Sequence, residues 1–268
     1  MDQPSPDQKR FRIDVAYDGR PYSGWQSQVT GDTIQDLLLA ALKAICPVIG
    51  GVQGSGRTDA GVSALKQVAH FDVPESWRMN AGEWQRALNS SLPKAIRIMA
   101  CGKVDAEFHA RFSAVEKEYH YRIATADVMS PLLVGLAWHQ RQFPAVERLS
   151  EVLSLYEGTH DFRAFSANRN DGHDADRDAN RTIFQADVAD SSGEMFVLRF
   201  RGNGFLYKMV RFLVGSAVYC VNGRVSREEM VRLLEGGKTG EKAPFCAPPD
   251  GLSLVNVGYS EPFNRFGA

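Results

Sequence analysis

The chain has 268 residues and is 44% hydrophobic, enough to bury a sizeable core as one large domain or two closely joined halves. With 31 basic against 32 acidic residues its formal net charge is -1, which excludes a bulk positive field, so any nucleic-acid binding must come from a local basic surface. No apolar run reaches membrane-spanning length and the first residues lack the basic-then-apolar order of a secretion signal, while Cys46, Cys101, Cys220 and Cys246 are too scattered for a disulfide framework or zinc knuckle, so a soluble cytoplasmic protein with reduced thiols is expected.

Residues 11–17 alternate apolar and polar side chains like a half-buried strand, and 34–46 carry apolar residues at helical spacing. An extended segment enters a glycine-rich loop at Gly54, followed by a strand pattern at 67–73, a helix at 81–89 and a strand at 96–104. That order, βαββαβ, is the split βαβ arrangement, in which two crossover helices pack on one face of an antiparallel sheet. The second half repeats it with longer excursions: a strand at 119–125, a helix at 146–157, and strands at 182–189 and 195–201. Helices at 206–221 and 227–234 and a strand at 252–257 complete it. The expected class is α+β: two ferredoxin-like halves, 1–110 and 111–268, sharing a mainly antiparallel central sheet with helices packed on it. Clefts between such halves are favoured ligand sites.

The most informative stretch is Gly54-Ser55-Gly56-Arg57-Thr58-Asp59-Ala60-Gly61-Val62. Glycines permit positive φ and close approach of a ligand, and a neighbouring arginine keeps a carboxylate ionised, so the loop presents Asp59 as a nucleophile or base. The same residues also read as ordinary turn chemistry. A dinucleotide fingerprint fails here because its third glycine position is Asp59, whose charge repels a pyrophosphate. Gly237-Lys238-Thr239 imitates the end of a phosphate-binding loop, but the first glycine of that motif would fall at Arg232, in a helical segment. Asp174, Asp176 and Asp178 have calcium-loop spacing, yet the turn glycine is replaced by Ala179 and the last acidic ligand by Gln185. Neither ATP, NAD nor a metal is expected.

Phe108-His109-Ala110-Arg111-Phe112 leads into Lys117-Glu118-Tyr119-His120-Tyr121, where alternation puts Tyr119 and Tyr121 on one strand face. Tyr121 reads best as core. Tyr119 combines a ring able to stack on an extruded base with a hydroxyl within reach of a proton. Further on, Gly204-Phe205-Leu206-Tyr207-Lys208-Met209-Val210-Arg211 runs into an apolar helix, so Arg211 is expected to be largely buried and to need a partner, either some structural acid or Asp59.

Taken together these segments resemble the tRNA pseudouridine synthase A family. The resemblance runs from Tyr17-Asp18-Gly19 and Gly24-Trp25-Gln26 through the Gly56-to-Val62 signature, Lys117-x-Tyr119-x-Tyr121 and Gly204-Phe205-Leu206-Tyr207-x-Met209-Val210-Arg211 to Ala247-Pro248-x-x-Gly251-Leu252. It implies the pseudouridine synthase fold, with Asp59 as the essential aspartate, Tyr119 stacking on the target base and Arg211 as the basic partner of the carboxylate. It also implies that Arg57 helps to flip the nucleotide and that Leu252 lines the uracil pocket. The implied substrate is the anticodon stem-loop of tRNA at positions 38, 39 and 40, and the implied assembly is a homodimer. One departure is Ser63, where the family usually has His; it bears on substrate contacts or packing behind the site.

Turning uridine into pseudouridine requires no redox equivalent or energy source, only a carboxylate and a pocket that retains the free base. Attack of Asp59 on C1′, addition to C6 and removal of a 2′ proton all remain open as first steps. Two rivals stand beside this reading: a noncatalytic RNA-binding or RNA-folding protein of the same fold, and an N-glycosidic hydrolase. The second generally pairs two carboxylates, whereas the signature loop offers only Asp59.

Overall fold

A computed structural model of the chain describes residues 5, 7–141, 146–168, 178–238 and 240–266. In chain order the elements are β1 (Gln8–Tyr17), α1 (Ile34–Ile45), β2 (Gln53–Gly54), β3 (Ser63–Pro74), α2 (Ala81–Ser91), β4 (Ile96–Val104) and β5 (Ala114–Ala124). They continue with β6 (Trp138–His139), α3 (Val146–Leu153), β7 (Gly158–Asp161), β8 (Asn180–Ser192), β9 (Met195–Gly202), α4 (Met209–Val221), α5 (Arg227–Leu234) and β10 (Leu252–Tyr259). The mixed α+β class with mainly antiparallel strand pairing is as expected. Two compact units are formed, one by Met1–Val115 with Ser253–Ala268 and the other by Glu116–Leu252.

In the first unit β1 is flanked by antiparallel neighbours, Ile13 lying opposite Cys101 of β4 and Ala69 of β3. β3 also pairs antiparallel with β2, Gln53 opposite His70, and parallel with β10, Ser253 opposite Ser63. This is the split βαβ order. Helix α1 starts where Thr33 Oγ1 accepts the Asp36 amide, and it buries Ile34, Leu38, Ala41 and Leu42 along one stripe. A reciprocal Asn80 and Glu83 capping box starts α2, which sends Trp84 onto the rings of Phe11 and Phe71.

The alternation of β1 predicts one solvent-facing side, and here the structure differs. Arg10, Arg12 and Asp14 are buried along with the apolar residues between them, with Arg10 only 2% and Arg12 only 3% exposed. Burial is possible because each charge meets its partner at once. Arg10 is bidentate to Asp72, and Arg12 bonds Asp14 while its guanidinium lies over the Tyr259 ring at 4.9 Å.

The second unit places β9 between β5 and β8, antiparallel to both, with Tyr119 opposite Phe200 and Ala186 also opposite Phe200. The two- and four-residue strands β6 and β7 were not foreseen, since segments so short carry no period. The helix expected over 146–157 gives way after Leu153 to a 3₁₀ turn, Ser154–Tyr156. Expected from 206, α4 begins only at Met209, because Lys208 takes a left-handed φ of 60° and interrupts the helical path. Gly215 lets α4 approach the Phe245 carbonyl, whose residue stacks its ring between Tyr219 at 4.8 Å and Trp138 at 5.7 Å. Asp174 and Asp176 lie outside the described residues, as does Thr239.

Candidate active site

The signature loop lies between β2 and β3 in the first unit, and hydrogen bonds hold its backbone on both sides of Asp59. Ser55 is buried, its amide donating to the Val68 carbonyl at 2.7 Å and its hydroxyl to Gln67 Oε1 at 2.5 Å. The Gln67 amide returns a bond to the Gly56 carbonyl at 3.0 Å. Thr58, also buried, shares a 2.8 Å hydrogen bond with the Tyr17 hydroxyl, while the Val62 amide closes a turn on the Asp59 carbonyl at 3.1 Å. Gly61, with φ 82°, supplies the left-handed step that this turn requires.

A strap from residues 19–26 backs the loop and accounts for two motifs with no evident role in the sequence. Trp25 donates its amide to the Thr58 carbonyl, and its indole lies so close to Gly54 that a Cβ there would sit 2.5 Å from the ring. Gly24 has φ 88°, and a Cβ on it would stand 2.6 Å from the Thr58 carbonyl oxygen. The carbonyls of Gly24 and Trp25 in turn accept the Ile34 and Gln35 amides, so the strap also satisfies the first turn of α1. Burial raises the Tyr17 phenol well above its usual range, so it stays protonated beside Thr58.

Asp59 is half-buried amid this fixed backbone, and Arg57 is exposed with its Nε donating to Gln26 Oε1 at 2.9 Å. Ser63, the departure from the family pattern, accepts the Gly19 amide on its hydroxyl at 3.0 Å. Its role here is to clasp the strap at the end of the loop.

The remaining expected site residues lie in the second unit. Tyr119 on β5 is 8% exposed and meets the Phe205 ring edge-on at 5.1 Å. Tyr121 is core as expected, its hydroxyl donating to the Pro248 carbonyl at 2.9 Å. Arg211 on α4 is partly exposed, and its Nε donates to the Ala247 carbonyl at 2.7 Å while the Ala247 amide donates back to the Arg211 carbonyl. The loop of residues 247–252 thus joins α4 to β5: Ala247 holds Arg211, Pro248 holds Tyr121, and the Gly251 carbonyl accepts the Arg122 amide. Leu252, buried, follows directly. Gly251, at φ 87°, has no room for a side chain because a Cβ would lie 2.5 Å from the Arg122 carbonyl oxygen.

Among the described residues no three His, Cys, Asp or Glu side chains stand together as a metal site, and no helix is long and apolar enough to cross a membrane.

A family model described as tRNA pseudouridine synthase matches residues 14–113 and 152–260, which include the loop, the strap, Arg211 and Leu252. A tRNA pseudouridine synthase A from Akkermansia muciniphila is 46% identical over 254 residues, covering 94% of this chain and 96% of the relative. Another from Chlamydia pneumoniae is 39% identical, covering 94% of this chain and 92% of the relative. A solved Cbf5-Nop10-Gar1 complex is 14% identical with a TM-score of 0.36, the match covering 92% of this chain and half, 50%, of that one. On the family match and the near full-length identity to these relatives, the chain belongs to the tRNA pseudouridine synthase family.

Proposed function

We propose that this protein isomerises uridine to pseudouridine in tRNA, with Asp59 as the essential carboxylate. The observation that carries the reading is the difference in burial within the loop: Ser55, Thr58 and Val62 are buried, while Asp59 among them is half-buried on a backbone that hydrogen bonds hold in place. Such preorganisation keeps the carboxylate from having to be repositioned as the reaction proceeds.

In the reaction the N1 to C1′ bond breaks, the uracil turns while still bound, C5 joins C1′ and the C5 proton departs, so nothing is gained or lost overall. Asp59 serves the first step, whether by attack on C1′, addition to C6 or removal of the 2′ proton. Arg211 is the basic partner of that carboxylate, Tyr119 stacks on the base and takes part in the closing proton transfer, and Leu252 lines the uracil pocket. Arg57 helps to extrude the nucleotide, a step that costs a few kcal/mol of lost stacking and pairing. The target is the anticodon stem-loop at positions 38, 39 and 40, and the working form is a cytoplasmic homodimer.

The test is tritium release from C5-labelled tRNA transcripts by the wild type and by Asp59→Ala, followed by mapping of the modified positions. Release by the wild type that is lost in the variant supports the reading. A folded wild type that binds tRNA without releasing tritium is a noncatalytic RNA-binding protein, and free uracil in the reaction marks a hydrolase.

A further inference from the structure

The segment Phe108-His109-Ala110-Arg111-Phe112 has no part in the site described above, yet it ends in an exposed aromatic ring: Phe112 is 63% exposed, and Arg111 beside it is exposed as well. The turn that carries them is held from several sides. His109 Nδ1 accepts the amides of both Arg111 and Phe112, at 3.1 and 3.2 Å, which places the ring proton on Nε2. Ser113 closes the other end, its hydroxyl accepting the His109 amide at 3.0 Å and its amide donating to the His109 carbonyl at 2.9 Å.

Beneath the turn lie polar groups from the sheet. Arg10, buried on β1, donates to the Phe108 carbonyl at 2.7 Å. The Ala110 amide donates to Nδ1 of buried His70 at 3.1 Å, and the Ala110 carbonyl accepts the Tyr259 hydroxyl at 2.6 Å. The rings form a series: His70 meets His109 edge-on at 4.8 Å, and His109 lies under Phe112 at 4.4 Å. The Arg111 guanidinium stands 5.6 Å from the Phe112 ring centroid.

A phenylalanine left this open contributes little to folding by burial, so fixing it with buried histidines and an arginine is not explained by core formation. A rigid ring flanked by a cation has the chemistry that holds an unpaired nucleotide: the aromatic face stacks on any base and the guanidinium meets a phosphate. Rigidity lowers the ordering cost that such a contact would otherwise carry. A protein partner calls for a contiguous apolar patch, whereas Phe112 stands in the chain between the charged Arg111 and the polar Ser113.

We infer that Phe112 and Arg111 form an RNA-binding platform outside the catalytic loop, on which an unpaired base of the substrate RNA stacks while Arg111 contacts an adjoining phosphate. The inference rests on the tRNA reading above and adds a contact that holds RNA without taking part in the chemistry.

The test measures binding of an unmodified tRNA transcript by Phe112→Leu, Phe112→Trp and Arg111→Gln proteins over a salt series, with pseudouridine formation by the wild type as a separate readout and thermal unfolding as the fold control. Phe112→Leu, which keeps an apolar side chain but no aromatic face, is expected to weaken binding roughly tenfold, with Phe112→Trp close to wild type. Arg111→Gln is expected to lower the slope of log affinity against log salt by about one. Wild-type affinity and salt slope in the Leu and Gln variants overturn the platform. So does an effect of Phe112→Leu on self-association alone, which assigns the ring to a protein contact. Inactivity of the wild type towards tRNA, by contrast, is a failure of the enzymatic reading itself.

Discussion

The hydroxyl of Tyr17, at the end of β1, lies 2.8 Å from Thr58 Oγ1, so the residue immediately before Asp59 is anchored to the middle strand of the first unit's sheet. Both groups are buried, and deleting the Tyr17 hydroxyl takes this bond from Thr58. Tyr17→Phe is expected to cost about 1–3 kcal/mol of stability. It should also lower the single-turnover rate more than it weakens tRNA binding, because what it loosens is the backbone under Asp59. Urea unfolding and rapid-quench kinetics check the two effects separately; an unchanged rate would separate this bond from the alignment of Asp59.

Arg211 has two duties, a structural one at the Ala247 carbonyl and a proposed electrostatic one towards Asp59. Arg211→Leu removes both and is expected to cripple turnover, by about a hundredfold or more, or to prevent folding. Arg211→Lys keeps the charge but loses the fixed fork, so a folded Lys variant with a large residual defect separates geometry from charge. A soluble, fully active Leu variant removes Arg211 from the mechanism.

Tyr119→Phe keeps the ring packed against Phe205 and deletes only the hydroxyl. Binding of tRNA should hold while product formation slows by about a hundredfold, the lower range for loss of a positioned proton-transfer group. Single-turnover measurements at saturating enzyme decide it, and an unchanged rate withdraws the proton role.

Burial pushes the His70 imidazole down to about 3, with the Arg10 charge adding to the effect. Its folded pKa is below its unfolded value, so above the unfolded pKa the ring is neutral in both states. As pH falls below that value the unfolded chain takes up a proton that the folded one refuses, and stability is lost progressively down to about 3. The contribution to the slope approaches about 1.4 kcal/mol per pH unit. His70→Asn should flatten it, read from urea midpoints between pH 7 and 5.

Much of this was legible in the chain. Apolar periodicity marked α5 at Arg227–Leu234 and β4 at Ile96–Val104 to the residue, since each is bounded by a clear cap or turn. The glycine signature singled out Asp59, and the ordered motifs pointed to the family to which the chain belongs. The start of α4 was less legible because residues 206–208 are apolar or helix-tolerant, and only backbone geometry reveals the left-handed Lys208. The polar face of β1 was misread because alternation reports side-chain chemistry, not whether another segment covers that face.

By itself the sequence determined what acts over short range: strand and helix periods, caps, and the clustering of glycine around one carboxylate. Only the tertiary structure decided that residues 19–26 close over the loop at 54–63, that Ser63 clasps Gly19, and that Ala247 holds Arg211. The first two depend on β1 and β3 lying side by side, and the third on a loop returning to α4. Such meetings are settled by strand register and by the need of each buried amide, hydroxyl and guanidinium for a partner, which no local pattern encodes.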